Sequence, residues 1–204
     1  MVLCGSAISL LPTSANASPA DGPSFISVSN TDFDAVQQGS PCDTQPLFDN
    51  SGPAGDGGNL GVGDNGWGPA CIGLDRAYYQ FTLPSQLTGA TVQRATITAE
   101  ETFTSSCTGA RPISLHASAP IDAATDWDTQ PPLGPATSVT SFGSACAAGP
   151  VFGGFDVSSA VAQAVNSHAS QFTIVLTNDT SSQTSFTRFA DSTALQIQFT
   201  GPQS

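Results

Sequence analysis

Two runs of strict alternation constrain this chain most. In residues 76–83, Ala77, Tyr79, Phe81 and Leu83 fall on one side at period two, and Arg76, Tyr78, Gln80 and Thr82 on the other. That pattern predicts a half-buried strand. Pro84 and Gly89 interrupt it, and alternation resumes in residues 95–103, where Ala95, Ile97, Ala99 and Phe103 share a face. Glu101 shares that face too. A carboxylate in an apolar register needs a charged or hydrogen-bonding partner. A structural ion pair is therefore expected, with Arg188 or Arg76 the leading partners and Arg111 a third.

The rest of the chain fits a β protein. Among its 204 residues there are no lysines, four arginines, two glutamates and fourteen aspartates, with 20 glycines and 15 prolines. So few helix-forming charged residues point to an all-β domain with long loops, and the length supports one ordinary core. A net charge of −12 leaves no basic footprint for nucleic acid or anionic lipid. Without lysine there is no Schiff-base lysine and no Lys–Asn isopeptide bond.

Residues 2–11 form a short apolar run, and Ala15-Asn16-Ala17 is an A-x-A cleavage pattern. Residues 1–17 are therefore expected to be a signal peptide, short of its basic n-region, with residues 18–204 as one mature domain. The run is too short to span a bilayer. Setting Cys4 aside leaves Cys42, Cys71, Cys107 and Cys146, and an even count in a secreted chain implies disulfides. The expected pairs are Cys42–Cys71 and Cys107–Cys146, since each closes a long inter-strand loop.

Further short strands are expected at 25–28, 32–38, 113–117, 138–142, 151–155, 172–176 and 195–199. Residues 39–73 are rich in Gly, Asp, Asn and Pro and read as one long binding or covered loop. One helix is expected near 157–166: Asp156 suits its N-cap, and Val157, Ala160, Val161, Ala164 and Val165 recur at helical spacing. Together these elements predict an antiparallel β-sandwich, a jelly roll, with one short helix.

The order of Arg76-Ala77-Tyr78-Tyr79-Gln80-Phe81, the run from Thr96 to Cys107, Trp127-x-x-Gln130-Pro131, Phe155-Asp156-Val157-Ser158-Ser159-Ala160-Val161, Arg188-Phe189 and Leu195-x-Ile197 resembles the DNRLRE domain. It is most similar to the disulfide-bearing version in secreted actinobacterial proteins. The resemblance covers most of the mature chain. It implies a jelly roll on extracellular, often multi-domain, proteins, some of whose relatives bind acidic polysaccharide. Cys107 and Cys146 match the positions of paired cysteines in that version. The six-residue string that names the family is absent here, and so are the lysines expected of an acidic-glycan groove.

Several residues are candidates for function. Trp67, between Gly66 and Gly68, has no alternating neighbours to bury it and is a candidate ligand platform with Asp64 and Asn65. Asp49, Asp56 and Asp64 offer hard oxygen ligands of the kind Ca²⁺ takes, though at no EF-hand spacing; solvated loop carboxylates are the plainer reading. Trp127 with Gln130 and Pro131 reads first as turn packing and second as a sugar platform. Asp126, Asp128 and Glu101 are the carboxylates that a glycan-active enzyme would use. No G-x-S-x-G occurs, and neither His116 nor His168 has a catalytic partner nearby in sequence. Asn178-Asp179-Thr180 is a glycosylation sequon by pattern.

These observations favour a secreted, non-catalytic module for surface binding or adhesion, with a polysaccharide or cell-surface glycan as ligand. The alternatives are a glycan hydrolase or lyase, and a structural module that contacts other extracellular domains.

Overall fold

A computed structural model describes residues 22–49, 59–66, 71–143 and 150–201. They form eleven strands and one α-helix: β1 (Ser24–Ser29), β2 (Asp32–Gln37), β3 (Asn59–Asn65), β4 (Gly73–Thr82), β5 (Thr91–Thr104), β6 (Arg111–Ser118), β7 (Ser138–Phe142), β8 (Val151–Asp156), α1 (Ser158–Asn166), β9 (Gln171–Thr177), β10 (Thr187–Ala190) and β11 (Ala194–Thr200). Every strand pair is antiparallel.

The strands follow one hydrogen-bonded path that curls into two layers. Layer I holds β1, β11, β5, β8 and β10, and layer II holds β2, β4, β9, β6 and β7. β3 belongs to both: its first half pairs with β10 and its second half with β4. The chain crosses between layers from β4 to β5, back to β6, and again around β8, β9 and β10. This is the sandwich that the alternation predicts, with its single helix in the expected place.

The main core lies between the layers. Tyr79, Phe81, Ile113, Leu115, Ile174 and Leu176 of layer II meet Ile97, Phe155, Phe189, Leu195 and Ile197 of layer I. Full burial of such side chains contributes about 1.5–3 kcal/mol each. The Tyr79 hydroxyl inside the core donates to the Ala190 carbonyl at 2.7 Å, so its burial leaves no polar group unpaired. Helix α1 turns Val161 and Val165 into the core. Asp156 sits one residue before the N-cap, and its Oδ1 accepts the Ser158 amide and hydroxyl at 2.9 and 2.6 Å.

Two sequence expectations need correction. The far side of β4 is not solvated. Tyr78 and Gln80 are buried there, together with Val36, Ile121 and Val175. Residues 43–49 and 119–137 cover that face and pack Phe48, Trp127 and Leu133 onto it. The second correction is β3, which lies inside the stretch expected to be one long loop. Its Asn-Leu-Gly-Val-Gly sequence offers only Leu60 and Val62 at period two, with glycines at 61 and 63 where β3 turns from one layer to the other. A Cβ on Gly61 would stand 2.5 Å from an Asp75 carboxylate oxygen, and Gly63 has φ of +100°.

Candidate functional site

The outer face of layer I is open, and its cross-strand rows are set by register. Phe25 on β1 faces Gln198 on β11, which faces Arg94 on β5. In the next row Ser27 faces Gln196, Gln196 faces Thr96, and Thr96 faces Asp156 on β8. The register shifts between Gln198 and Phe199, so Gln93 has no strand partner and β5 bulges there. Such a bulge re-aims a side chain. The Gln93 carbonyl accepts from the Gln198 amide at 3.3 Å, and its own amide donates to the Thr200 hydroxyl at 3.5 Å.

Phe25 is 74% exposed at the edge of this face. With Ile26, Arg94, Thr96, Gln196 and Gln198 it lines an open groove of about 550 Å³. Arg94 forms no salt bridge among the described residues. The groove thus offers one flat aromatic face, side-chain amides that both donate and accept, hydroxyls, and one guanidinium fork. Sequence reading missed this site. Phe25 falls in the strand expected at 25–28, whose alternation does not say which face meets the core; on β1 the inward residues are Ile26 and Val28.

Glu101 is fully buried and salt-bridged to Arg111, whose Nη2 donates to Oε1 at 2.8 Å and to Oε2 at 2.9 Å. Arg111 Nε adds a contact to Oε1 at 3.2 Å, and the Thr187 hydroxyl donates to the same oxygen. The leading expected partners lie elsewhere. Arg76 pairs with Asp179 at 2.7 Å and stacks over Trp127 at 4.6 Å. Arg188 alternates to the opposite face of β10 from Phe189, which is the residue opposite Glu101, and its guanidinium lies over Phe103 and Phe186.

Trp127 and Gln130 are structural. The Gln130 carbonyl accepts from Arg76 Nη1 at 3.0 Å and from the Tyr78 hydroxyl at 3.1 Å, while its amide donates to the Trp127 carbonyl at 2.7 Å. Burial holds the Tyr78 hydroxyl's pKa up at about 12. Asp126 Oδ1 accepts the Thr129 amide and hydroxyl, both at 2.8 Å, in a tight turn, whereas Asp128 is exposed. These two carboxylates therefore do not face each other along a strand. The sequon is also structural: Asn178 is buried, its amide donates to the Ser185 carbonyl at 3.2 Å, and its carbonyl accepts from Thr180 at 3.1 Å.

Of the expected loop site, Trp67 and Asp56 lie outside the described residues. Asn65 donates to Asp75 at 3.4 Å, and Asp64 sits on β3 opposite Leu74. Asp49 is exposed and its Oδ1 accepts the Phe33 amide at 3.3 Å. Among the described residues no group of three or more His, Cys, Asp or Glu side chains could hold a metal ion. Cys42–Cys71 is formed, across 29 residues of chain. Cys107 is also disulfide-bonded, and its expected partner Cys146 lies outside the described residues.

No protein-family model matches this chain, and no curated protein matches it either.

Proposed function

We propose that this chain is a secreted, non-catalytic β-sandwich module that binds carbohydrate at the outer face of layer I. The observation that carries this reading is Phe25, exposed beside a ladder of Gln198, Gln93, Gln196 and Arg94. An aromatic face beside fixed amide, hydroxyl and guanidinium groups complements a sugar, which has apolar C–H faces and hydroxyl edges. The resemblance to DNRLRE domains agrees with a role in polysaccharide recognition outside the cell. A disulfide between Cys42 and Cys71 suits an oxidising compartment. Glu101 and Asp126, two of the three carboxylates a glycan-active enzyme would use, are committed to Arg111 and Thr129, which weighs against turnover.

One aromatic platform gives weak binding, about 1–3 kcal/mol per stacked ring by analogy with base stacking. The test is a glycan array run with wild type, Phe25→Ala and Arg94→Ala, alongside reducing-sugar release. Binding that is lost in both variants, without sugar release, is the expected result. Sugar release abolished by Asp128→Asn, or binding untouched by both groove variants, would overturn the reading.

A further inference from the structure

Asp34 lies on β2 and points away from the core, beneath residues 43–49 and 119–137. It is completely buried, and neither carboxylate oxygen takes a hydrogen bond of normal geometry. The nearest donors are the Ala35 and Leu47 amides, and a buried carboxylate held by no better hydrogen bonds is rare and calls for a physical reason.

On β2 itself Asp32 lies two residues away on the same face. On β4 Tyr78 is directly opposite, with Arg76 two residues along. Neither neutralises Asp34: the Tyr78 hydroxyl donates to Gln130, and Arg76 engages Asp179, Gln130 and the Trp127 ring. β9 contributes Val175, which does not titrate. The two covering loops contribute Asp49 and Asp126, whose charges disfavour a second negative charge at Asp34. The loops are joined by the Asp128 amide donating to the Asp43 carbonyl at 3.1 Å, and the first is tied to β2 by the Asp49 amide donating to the Phe33 carbonyl at 2.9 Å.

We propose that Asp34 is a proton-operated latch: its neutral form lets both loops lie on β2 and β4, and loss of the proton to solvent releases them, uncovering the apolar patch of Val36, Tyr78 and Val175. No covalent bond of the chain changes. Burial is the main cause that lifts the Asp34 carboxyl from 3.8 to about 7; the Ala35 and Leu47 amides offset part of this, and Asp126 and Asp49 add to it. The closed form therefore keeps a proton that the open form gives up in the ordinary carboxylate range. Opening grows about tenfold per pH unit between those two limits and then levels off.

Hydrogen exchange on the full chain, corrected for the intrinsic effect of pH, reads this directly at the Asp49 and Asp128 amides. Their opening is expected to rise on the order of a hundredfold from about pH 5 to about pH 8 in wild type, with β4 and β9 unchanged, and to stay flat in Asp34→Asn. Equal profiles in the two proteins would overturn the latch. So would an equal rise across β4 and β9, or loops that close again at the higher pH when Ca²⁺ is added, since Asp34 would then be a cation ligand. If Asp34→Asn does not fold, the carboxyl carbon shift of Asp34 in wild type decides. It must titrate near neutrality together with the loop signals, and a midpoint in the ordinary carboxylate range contradicts the proposal.

Discussion

Glu101 of layer I and Arg111 of layer II form a buried two-point ion pair, a salt bridge that ties the two layers of the sandwich together. Arg111 also reaches the Ser106 carbonyl at 3.0 Å and the Gly143 carbonyl, which anchors the turn that carries Cys107. Each guanidinium nitrogen and both carboxylate oxygens have a partner, as a buried ion pair requires.

Removing one partner leaves the other charge stranded. Glu101→Gln or Arg111→Met should each destabilise the fold by about 3–5 kcal/mol, while replacing both with apolar residues should recover part of that loss. Urea unfolding of the three variants checks this. A wild-type midpoint for either single variant would refute the pair's role.

The clamp on the outer face of layer II gives a second expectation. Gln130 holds Arg76, Tyr78 and the Trp127 backbone at once. Gln130→Leu should leave the Tyr78 hydroxyl unsatisfied and cost about 1–3 kcal/mol, with a change in the environment of Trp127. Thermal unfolding together with tryptophan fluorescence, recorded in a Trp67→Phe background, measures both.

Asp34 has a consequence for global stability. Its folded pKa is raised, so the folded state binds a proton that the unfolded state has lost between about pH 4 and pH 7, and stability falls as pH rises through that window. Asp34→Asn removes this dependence. The variant should gain on wild type by up to roughly 3 kcal/mol between pH 5 and pH 8. Denaturation midpoints that move in parallel for the two proteins would show that the carboxyl is not held neutral.

Gly153 is required for packing. A Cβ there would stand 2.3 Å from the Phe142 ring, which itself contacts Phe155 and Phe189. Gly153→Ala should therefore cost about 1–3 kcal/mol by overpacking, read from its melting temperature.

Much of the fold was legible because period two survives wherever one face meets the main core. β4, β5 and β11 all alternate, and helix α1 announces itself by its valine spacing. β3 was not legible, because its glycines answer to the Asp75 carboxylate and to a corner, leaving only Leu60 and Val62 to mark a period inside a Gly- and Asp-rich stretch. The partner of Glu101 was open for a similar reason: three arginines were available, and only the cross-layer placement of β5 and β6 selects Arg111. Phe25 was hidden because alternation shows that a strand has two faces without showing which one meets water. Ile26 and Val28 claim the inner face and leave Phe25 outside.

The central claim is that the outer face of layer I is the binding surface. Its most direct test is a titration of ¹⁵N-labelled protein with the oligosaccharide best retained on the array, followed amide by amide. Shifts concentrated at Phe25, Arg94, Gln196 and Gln198, and absent in Phe25→Ala, are the predicted result. Saturable shifts centred on residues 59–73 around Trp67, or on the Trp127 segment, would contradict it.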